Sequence, residues 1–195
     1  MLKCYQERSL SMRIIAGLCK GRKLKTPKGG EIRPTSDRVK EAVFSILGPF
    51  IDGDTVLVDL FCGTGNLGLE ALSRGAGRVY FSDISKENLA VAAENIKICG
   101  MEDRSILLKG DYRQNLQRIR ELPDIFLVDP PYDVDLLTAA LTDLSRLKSF
   151  KDDAMVVCEH RSRQLQPETI GVLRLWKQRR YGATSISIYR PSERR

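Results

Sequence analysis

From residue 55 onward, short runs rich in β-branched and aromatic residues alternate with amphipathic segments of helical periodicity. The apolar runs lie at residues 55–60, 78–82, 105–109, 125–128 and 154–159, and the helical segments at 67–74, 86–99, 113–121 and 136–147. Regular alternation of strands and helices favours parallel strand pairing, with helices covering both faces of the sheet. The sequence therefore predicts an α/β fold built on a doubly wound, mostly parallel sheet.

Both ends of the chain depart from this alternation. Residues 12–27 read as a small β-hairpin, and Thr35 or Ser36 can cap a helix that ends at Gly48. After residue 167, two strand-like runs at 172–176 and 185–189 are separated by residues 179–182, which predicts a C-terminal antiparallel hairpin. We expect residues 1–11 to be a disordered leader and 12–195 to form a single domain, with a basic hairpin and helix over 12–50 and the core over 51–195.

Charge is distributed unevenly along the 195 residues. Residues 1–40 hold 11 Lys or Arg against 3 Asp or Glu, residues 41–160 hold 12 against 20, and residues 161–195 hold 9 against 2. An acidic middle between two basic ends is typical of a chain whose ends meet a polyanion. Basic ends can equally be solvated tails, and charge alone leaves both possibilities open.

Several classes of protein are disfavoured by composition. No apolar run is long enough to cross a bilayer, and the charged N-terminus lacks the apolar stretch of a secretory signal, so we expect a cytoplasmic protein without a membrane partner. The five cysteines are scattered and the chain has one histidine, His160. This pattern favours neither a disulfide framework nor a metal site, and we expect no metal.

The strongest local motif joins the first predicted strand of the sheet to the next helix. It contains Asp59 and Phe61, followed by a turn with Gly63 and Gly65 and by Gly68 at the start of the helix. Glycines allow a tight turn and a close approach of backbone to ligand, and a helix N-terminus offers free N–H groups. The motif predicts a nucleotide-like cofactor, although NAD and FAD enzymes use the same spacing.

Two further aspartates follow strands of the same predicted sheet. Asp83 comes at the end of the second strand, where a carboxylate can accept hydrogen bonds from ribose hydroxyls, and Asp111 follows the third, within possible reach of an adenine amine. Both could instead be helix N-caps, because carboxylates commonly fill that role. We predict that both contact the cofactor.

The fourth predicted strand ends in Asp129, Pro130, Pro131 and Tyr132. Two prolines hold this corner extended and leave its carbonyls without competing N–H groups, so it forms a rigid set of acceptors. An aromatic amine is a poor nucleophile, and accepting its hydrogens on the Asp129 carboxylate and the Pro130 carbonyl would free its lone pair. Tyr132 could stack on the base that carries the amine. The corner predicts methyl transfer from S-adenosylmethionine to an amine, although Pro-Pro also occurs in ordinary loops.

The identity of the base is only weakly indicated by these residues. A carboxylate such as Asp129 offers acceptors alone, and guanine presents two adjacent donors on its pairing edge, whereas adenine and cytosine present an amine beside an acceptor. Guanine is therefore favoured slightly. An adenine or cytosine amino-methyltransferase acting on DNA stays an alternative, as does a non-catalytic RNA-binding assembly factor that keeps the cofactor pocket.

Over residues 12–190 the chain resembles the bacterial 16S ribosomal RNA guanine-N2 methyltransferases of the small Rossmann-like type. The resemblance is carried by segments 13–17, 21–24, 33–44, 59–75 and 129–132. It implies a Rossmann-like class I methyltransferase fold and a monomer that converts S-adenosyl-L-methionine to S-adenosyl-L-homocysteine. The implied target is the N2 amine of guanine 966 in 16S rRNA, within an assembling or assembled small ribosomal subunit.

By the same resemblance, the residues of the glycine motif, with Asp83 and Asp111, would contact the cofactor, and residues 129–132 the target base. Cations near the N-terminal hairpin could hold RNA phosphates beside the site through contacts that are independent of base sequence. The cations proposed for this role are Arg22, Lys23, Lys25, Arg33 and Arg38. The C-terminal hairpin carries Lys177, Arg179 and Arg180, which could form a second group of phosphate contacts.

Overall fold

The computed structural model describes residues 12–27, 36–131, 134–147 and 150–192. Its helices are α1 (Asp37–Leu47), α2 (Asn66–Ser73), α3 (Lys86–Cys99), α4 (Tyr112–Leu116) and α5 (Val134–Arg146), with short 3-10 turns at Gly48–Phe50 and Glu102–Arg104. Its strands are β1 (Val56–Asp59), β2 (Arg78–Asp83), β3 (Ser105–Lys109), β4 (Ile125–Val128), β5 (Met155–Arg161), β6 (Thr169–Ile170), β7 (Leu173–Tyr181) and β8 (Thr184–Pro191). The predicted leader, residues 1–11, lies outside the described residues.

The eight strands form one sheet in the order β3-β2-β1-β4-β5-β8-β7-β6. Strands β1 to β5 pair in parallel, and β8 joins β5 antiparallel before pairing antiparallel with β7. Strand order reverses between β1 and β4, so the loops after these two strands diverge and leave a crevice at the carboxyl edge of the sheet. The predicted parallel sheet and C-terminal hairpin are both confirmed.

Two apolar layers cover the sheet, as expected for central strands buried on both faces. Leu57, Val79 and Leu127 pack on one face against the N-terminal segment and helices α1 to α3, while Val58 and Phe126 pack on the other with α4 and α5. All four residues of β4 are buried. This packing fixes the ends of β1 and β4, on which the site is built.

The N-terminal segment turns back on itself as predicted. Its two arms are joined by a bridge between Arg13 and Lys23 and by backbone hydrogen bonds from Ile14 N–H to Arg22 O and from Leu24 N–H to Met12 O. Other backbone donors of the segment bond to helix side chains. The N–H groups of Ile15 and Ala16 donate to the Glu70 carboxylate of α2, and Lys25 N–H donates to the Asn95 side chain of α3. The segment is therefore held both by hydrogen bonds between its own arms and by helix side chains.

Helix α1 begins after Ser36, whose hydroxyl accepts a hydrogen bond from Val39 N–H, as one of the two predicted caps. Helix α4 is shorter than the predicted 113–121. Beyond it, Glu121 accepts a hydrogen bond from the Tyr80 hydroxyl and pairs with Arg78, which draws the chain toward the start of β2. Among the described residues, no helix is both long and apolar enough to span a membrane.

Candidate active site

A cavity of about 470 Å³ opens at the carboxyl edge of the sheet, where the strand order reverses. Its walls come from the ends of β1, β2 and β4, from the turn after β3 and from β5. Of the predicted site residues, Asp59, Phe61, Gly63, Asp83, Asp111, Asp129, Pro130 and Pro131 line it. The chain thus brings the glycine turn to the walls of the same cavity as Asp129, Pro130 and Pro131. These three residues and Tyr132 are called the acidic-proline corner below.

The glycine turn passes from β1 into α2 in a conformation that suits glycine. Gly63 and Gly65 have φ of +52° and +81°, in the region that L side chains rarely adopt. Gly65 N–H donates to Cys62 O at 2.7 Å and Cys62 N–H to Ser82 O at 2.9 Å, which ties the turn to β2. Gly65 does not line the cavity itself; it shapes the turn that does.

Asp59 lies beneath this turn and is 2 % exposed. Its Oδ2 accepts a hydrogen bond from Gly68 N–H at 2.9 Å, which anchors the first turn of α2. Burial, reinforced by the charge of Asp83 and opposed by the Gly68 hydrogen bond, raises the pKa of Asp59 to about 7. A positive charge placed above these two carboxylates would favour the ionised form of Asp59.

Asp83 closes the side of the cavity nearest β2. Its Oδ2 accepts from Gly63 N–H at 2.8 Å and its Oδ1 from Ser85 N–H at 2.8 Å, while Asn88 Nδ2 lies 3.4 Å from both oxygens. The carboxylate is thereby fixed in place and still has lone pairs for further donors. Asp111 is an N-cap, as its Oδ1 accepts from Arg113 N–H at 2.9 Å, and it also lines the cavity.

The acidic-proline corner follows β4 directly. Asp129 is half-buried, Pro130 is buried and Pro131 is exposed. All three line the cavity together with the glycine turn, which follows the neighbouring strand β1. Tyr132, the fourth residue of this predicted group, lies outside the described residues.

The family model described as Conserved hypothetical protein 95 matches residues 12–190. The chain belongs to this family. YlbH of Bacillus subtilis, a candidate rRNA methyltransferase, is 37 % identical over 183 residues, covering 92 % of this chain and 98 % of the relative. Ribosomal RNA small subunit methyltransferase D of Haemophilus influenzae is 33 % identical over 184 residues, covering 91 % and 93 %.

Comparison with a solved structure identifies the fold. The structure of yhhF, a candidate methyltransferase of Escherichia coli, superposes with a TM-score of 0.81 at 29 % identity, covering 93 % of this chain and 98 % of that one. This family member thus has an α/β Rossmann-like methyltransferase fold with antiparallel C-terminal strands.

Several cavity residues of this family member were not predicted from its sequence. Asn66 is held by Lys40, whose Nζ donates to Asn66 Oδ1 at 2.8 Å. The ring of Tyr112 lies 5.3 Å from that of Phe61 and extends the apolar wall. Glu159 stands near the end of β5, and its position as an acidic residue closing a predicted strand could have marked it beforehand.

Some of the N-terminal cations predicted to contact phosphates are bonded to other groups of the protein. Lys25 pairs with Glu94 at 2.6 Å and Arg22 donates to Ile98 O at 2.6 Å. Lys23 and Arg38 are exposed. Arg33 lies outside the described residues.

Cys62 and His160 are both buried, and burial shifts the pKa of each side chain toward its neutral form. Burial raises the pKa of the Cys62 thiol well above its ordinary value, so the thiol stays protonated at neutral pH. His160 is buried, with its ring nitrogens 2.8 Å from Ser187 Oγ and 3.0 Å from Arg161 O, and burial lowers its pKa. Within the part of the chain that the structure describes, no group of three or more His, Cys, Asp or Glu side chains could hold a metal ion.

Proposed function

We propose that this protein transfers a methyl group from S-adenosyl-L-methionine to the exocyclic N2 amine of a guanine in 16S ribosomal RNA. The observation that carries the proposal is that Asp129 and Pro130 share one cavity with the glycine turn and Asp83. A cofactor held by the turn and a base held by the acidic-proline corner would thus be next to each other. The names of the two relatives, rRNA methyltransferase and small subunit methyltransferase D, support rRNA as the substrate.

The residues around the glycine turn fit this cofactor. Asp83 is oriented by Gly63 and Ser85 and has lone pairs available for two ribose hydroxyls. The N-terminus of α2 and the left-handed glycines allow backbone to approach the ligand closely. Asp59 and Asp83 together supply negative charge beneath a ligand that carries a positive sulfur.

When bound, the cofactor supplies a methyl group on a positively charged sulfur, so the chain has no need of a strong acid or a metal. Asp129 would accept a hydrogen bond from the target amine and hold its nitrogen in line with the methyl group. The same carboxylate would take up the proton that the nitrogen loses as its bond to the methyl carbon forms. The Pro130 carbonyl serves as the second acceptor, since proline has no N–H to compete for the same space. Positioning of this kind can supply much of the acceleration in a two-substrate reaction.

The finer parts of the proposal come from the family resemblance. They are guanine 966 as the target, the assembling or assembled small subunit as the substrate particle, a monomeric enzyme, and a cytoplasmic location. Tyr132 is proposed to stack on the flipped base. Lys23 and Arg38 are proposed to contact phosphates, since they are exposed.

The test is transfer of tritiated methyl from the cofactor to 16S rRNA, to small ribosomal subunits and to genomic DNA, followed by mass analysis of the nucleosides. We expect N2-methylguanosine at one position of the rRNA. Label in adenine or cytosine of DNA would identify the alternative enzyme. Label in none of the substrates, with intact cofactor binding, would identify a binding factor.

Asp129→Asn tests the proposed chemistry within the site. The amide presents a donor where the target offers only donors, so we expect kcat to fall on the order of 10²-fold or more. Cofactor affinity measured by calorimetry should change little. Asp153→Asn is the matched control, because Asp153 is exposed and lies at the other edge of the sheet, before β5. Equal activity of the two variants would contradict the role given to Asp129.

A further inference from the structure

Strand β7 carries an unusual density of cations along an exposed edge of the sheet. Its neighbour β6 pairs only with Leu173 and Arg174, so within the described part of the chain Leu175 to Tyr181 has a strand on one side alone. Arg174 and Arg179 are exposed, and Lys177 is half-buried with its Nζ 4.8 Å from the centre of the Trp176 ring. These three residues are called the β7 track below.

The cations of the β7 track are not neutralised by the chain. No ion pair among the described residues involves Arg174, Lys177 or Arg179. Arg179 donates to the neighbouring Gln178 carbonyl, which carries no net charge. Lys25 of the N-terminal segment differs, because it is paired with Glu94.

Strand register connects the track to the cavity. Arg179 is paired with Ile186 of β8, and Ile186 is paired with Glu159 of β5, which lines the cavity. Residues paired in this way project from the same face of the sheet. Two strand spacings separate Arg179 from Glu159, which is roughly 10 Å. Lys177 follows two residues earlier, paired with Ile188 on the same face.

We propose that the β7 track binds the phosphate backbone of the RNA strand whose base enters the cavity. The inference rests on the proposed function and specifies where the flanking RNA lies. Unpaired arginine and lysine side chains on an exposed strand suit sequence-independent phosphate contacts, which position a nucleic acid without reading it. The exposed edge of β7 is also open to backbone N–H contacts with the same phosphates.

The test compares two doubly substituted proteins with equal loss of charge. Lys177→Gln with Arg179→Gln removes two cations of the track. The matched control is Arg120→Gln with Lys97→Gln: Arg120 is exposed in the segment that follows α4, and Lys97 is exposed on α3 at the distant side of the sheet. Affinity for a 16S rRNA fragment is measured by fluorescence anisotropy without cofactor, over a series of salt concentrations.

We expect the track variant to bind RNA at least tenfold more weakly, with the slope of log affinity against log salt reduced by roughly 1.4 to 1.8, the value for two lost phosphate contacts. The control should keep the wild-type slope. Cofactor affinity should be unchanged in both, and methyl transfer by the track variant should show a raised KM for RNA with kcat retained.

Several results would overturn the inference. Equal RNA affinity of track variant and wild type, with concentration-dependent self-association of the variant, would mean that these cations only protect an open sheet edge. Normal binding to naked RNA with a defect on small subunits alone would point to a ribosomal protein as the partner. Absence of RNA binding by the wild-type protein would also refute it. Because anisotropy needs no turnover, failure of methyl transfer with intact track-dependent binding would refute the proposed function and leave the track standing.

Discussion

This protein has both a buried and an exposed lysine–glutamate ion pair, and the buried pair has the longer distance between its charged atoms. Lys40 Nζ lies 3.4 Å from Glu70 Oε2, and the two side chains are 1 % and 0 % exposed. Lys25 Nζ lies 2.6 Å from Glu94 Oε2, with side chains 60 % and 57 % exposed. If distance decided the energy, the exposed pair would contribute more to stability; if burial decides, the order reverses.

The structure gives the cost of removing each lysine. Lys40 Nζ also donates to Arg13 O and Asn66 Oδ1, so Lys40→Met leaves both acceptors without this donor and Glu70 with only Arg74 as its cation. Breaking a buried pair from one side costs about 3–5 kcal/mol. Lys25→Met removes an exposed pair and should cost no more than about 1 kcal/mol.

The measurements are urea unfolding, which gives the free energy, and thermal unfolding, which gives Tm, of both variants and the wild type, monitored by circular dichroism at pH 7. For a chain of 195 residues, each kcal/mol shifts Tm by about 2–4 °C, so Lys40→Met should lower Tm by roughly 6–20 °C and Lys25→Met by at most about 4 °C. Raising salt should shrink the Lys25 effect and leave the Lys40 effect nearly constant.

A Lys40→Met cost below 1 kcal/mol, or one equal to that of Lys25→Met, would refute this reasoning. Replacing Glu70 as well should not rescue the variant. Glu70 accepts the N–H groups of Ile15 and Ala16 in addition to its ion pairs, so its loss frees two more backbone donors.

Three further predictions concern the candidate site. Burial raises the pKa of Asp59 from 3.8 to about 7. The stability gained by its protonation is therefore present below about pH 4 and lost as pH rises through 7. Relative to Asp59→Asn, the wild type should lose free energy of unfolding between about pH 4 and pH 7. Gly68→Ala should cost about 1–3 kcal/mol in urea unfolding, because its Cβ would lie 2.4 Å from the Phe81 ring, whereas Gly48→Ala, with open space around it, should not. Asp83→Asn should weaken cofactor binding about 10- to 100-fold by calorimetry, the value of a lost charged hydrogen bond.

The sheet was predictable because its signals are local. Apart from α4, the apolar runs of the parallel sheet and the helices between them appear in the sequence with nearly their observed bounds, and parallel pairing follows from the alternation. The two halves of the site were predictable for the same reason. The glycine turn and the acidic-proline corner each follow a predicted strand, and parallel strands bring their carboxyl ends to one edge.

The parts that were not predicted depend on contacts distant in sequence. The hairpin pattern of the N-terminal segment does not reveal that Ile15 donates its N–H to Glu70, which lies 55 residues later. Lys40 reads as a surface residue of an amphipathic helix, yet the side chains of α2 bury it completely. Beyond the end of α4, Glu121 likewise accepts a hydrogen bond from Tyr80, 41 residues earlier. No periodicity within a single segment contains these contacts.

In the proposed complex, acidic residues of the chain lie at the cavity and the cations of the β7 track lie at a distance from it. Asp59 and Asp83 make the cavity acidic, which suits a cationic cofactor but repels RNA phosphates. The β7 track lies about 10 Å from the cavity wall at Glu159, slightly more than the screening length of about 8 Å at physiological salt. Phosphates on the track would therefore be largely screened from the cavity, while an uncharged base could enter it without a comparable electrostatic cost. Cations nearer the pocket would bring the RNA phosphates closer to the carboxylates of the cavity, so the observed separation would let the chain hold the RNA backbone without this repulsion.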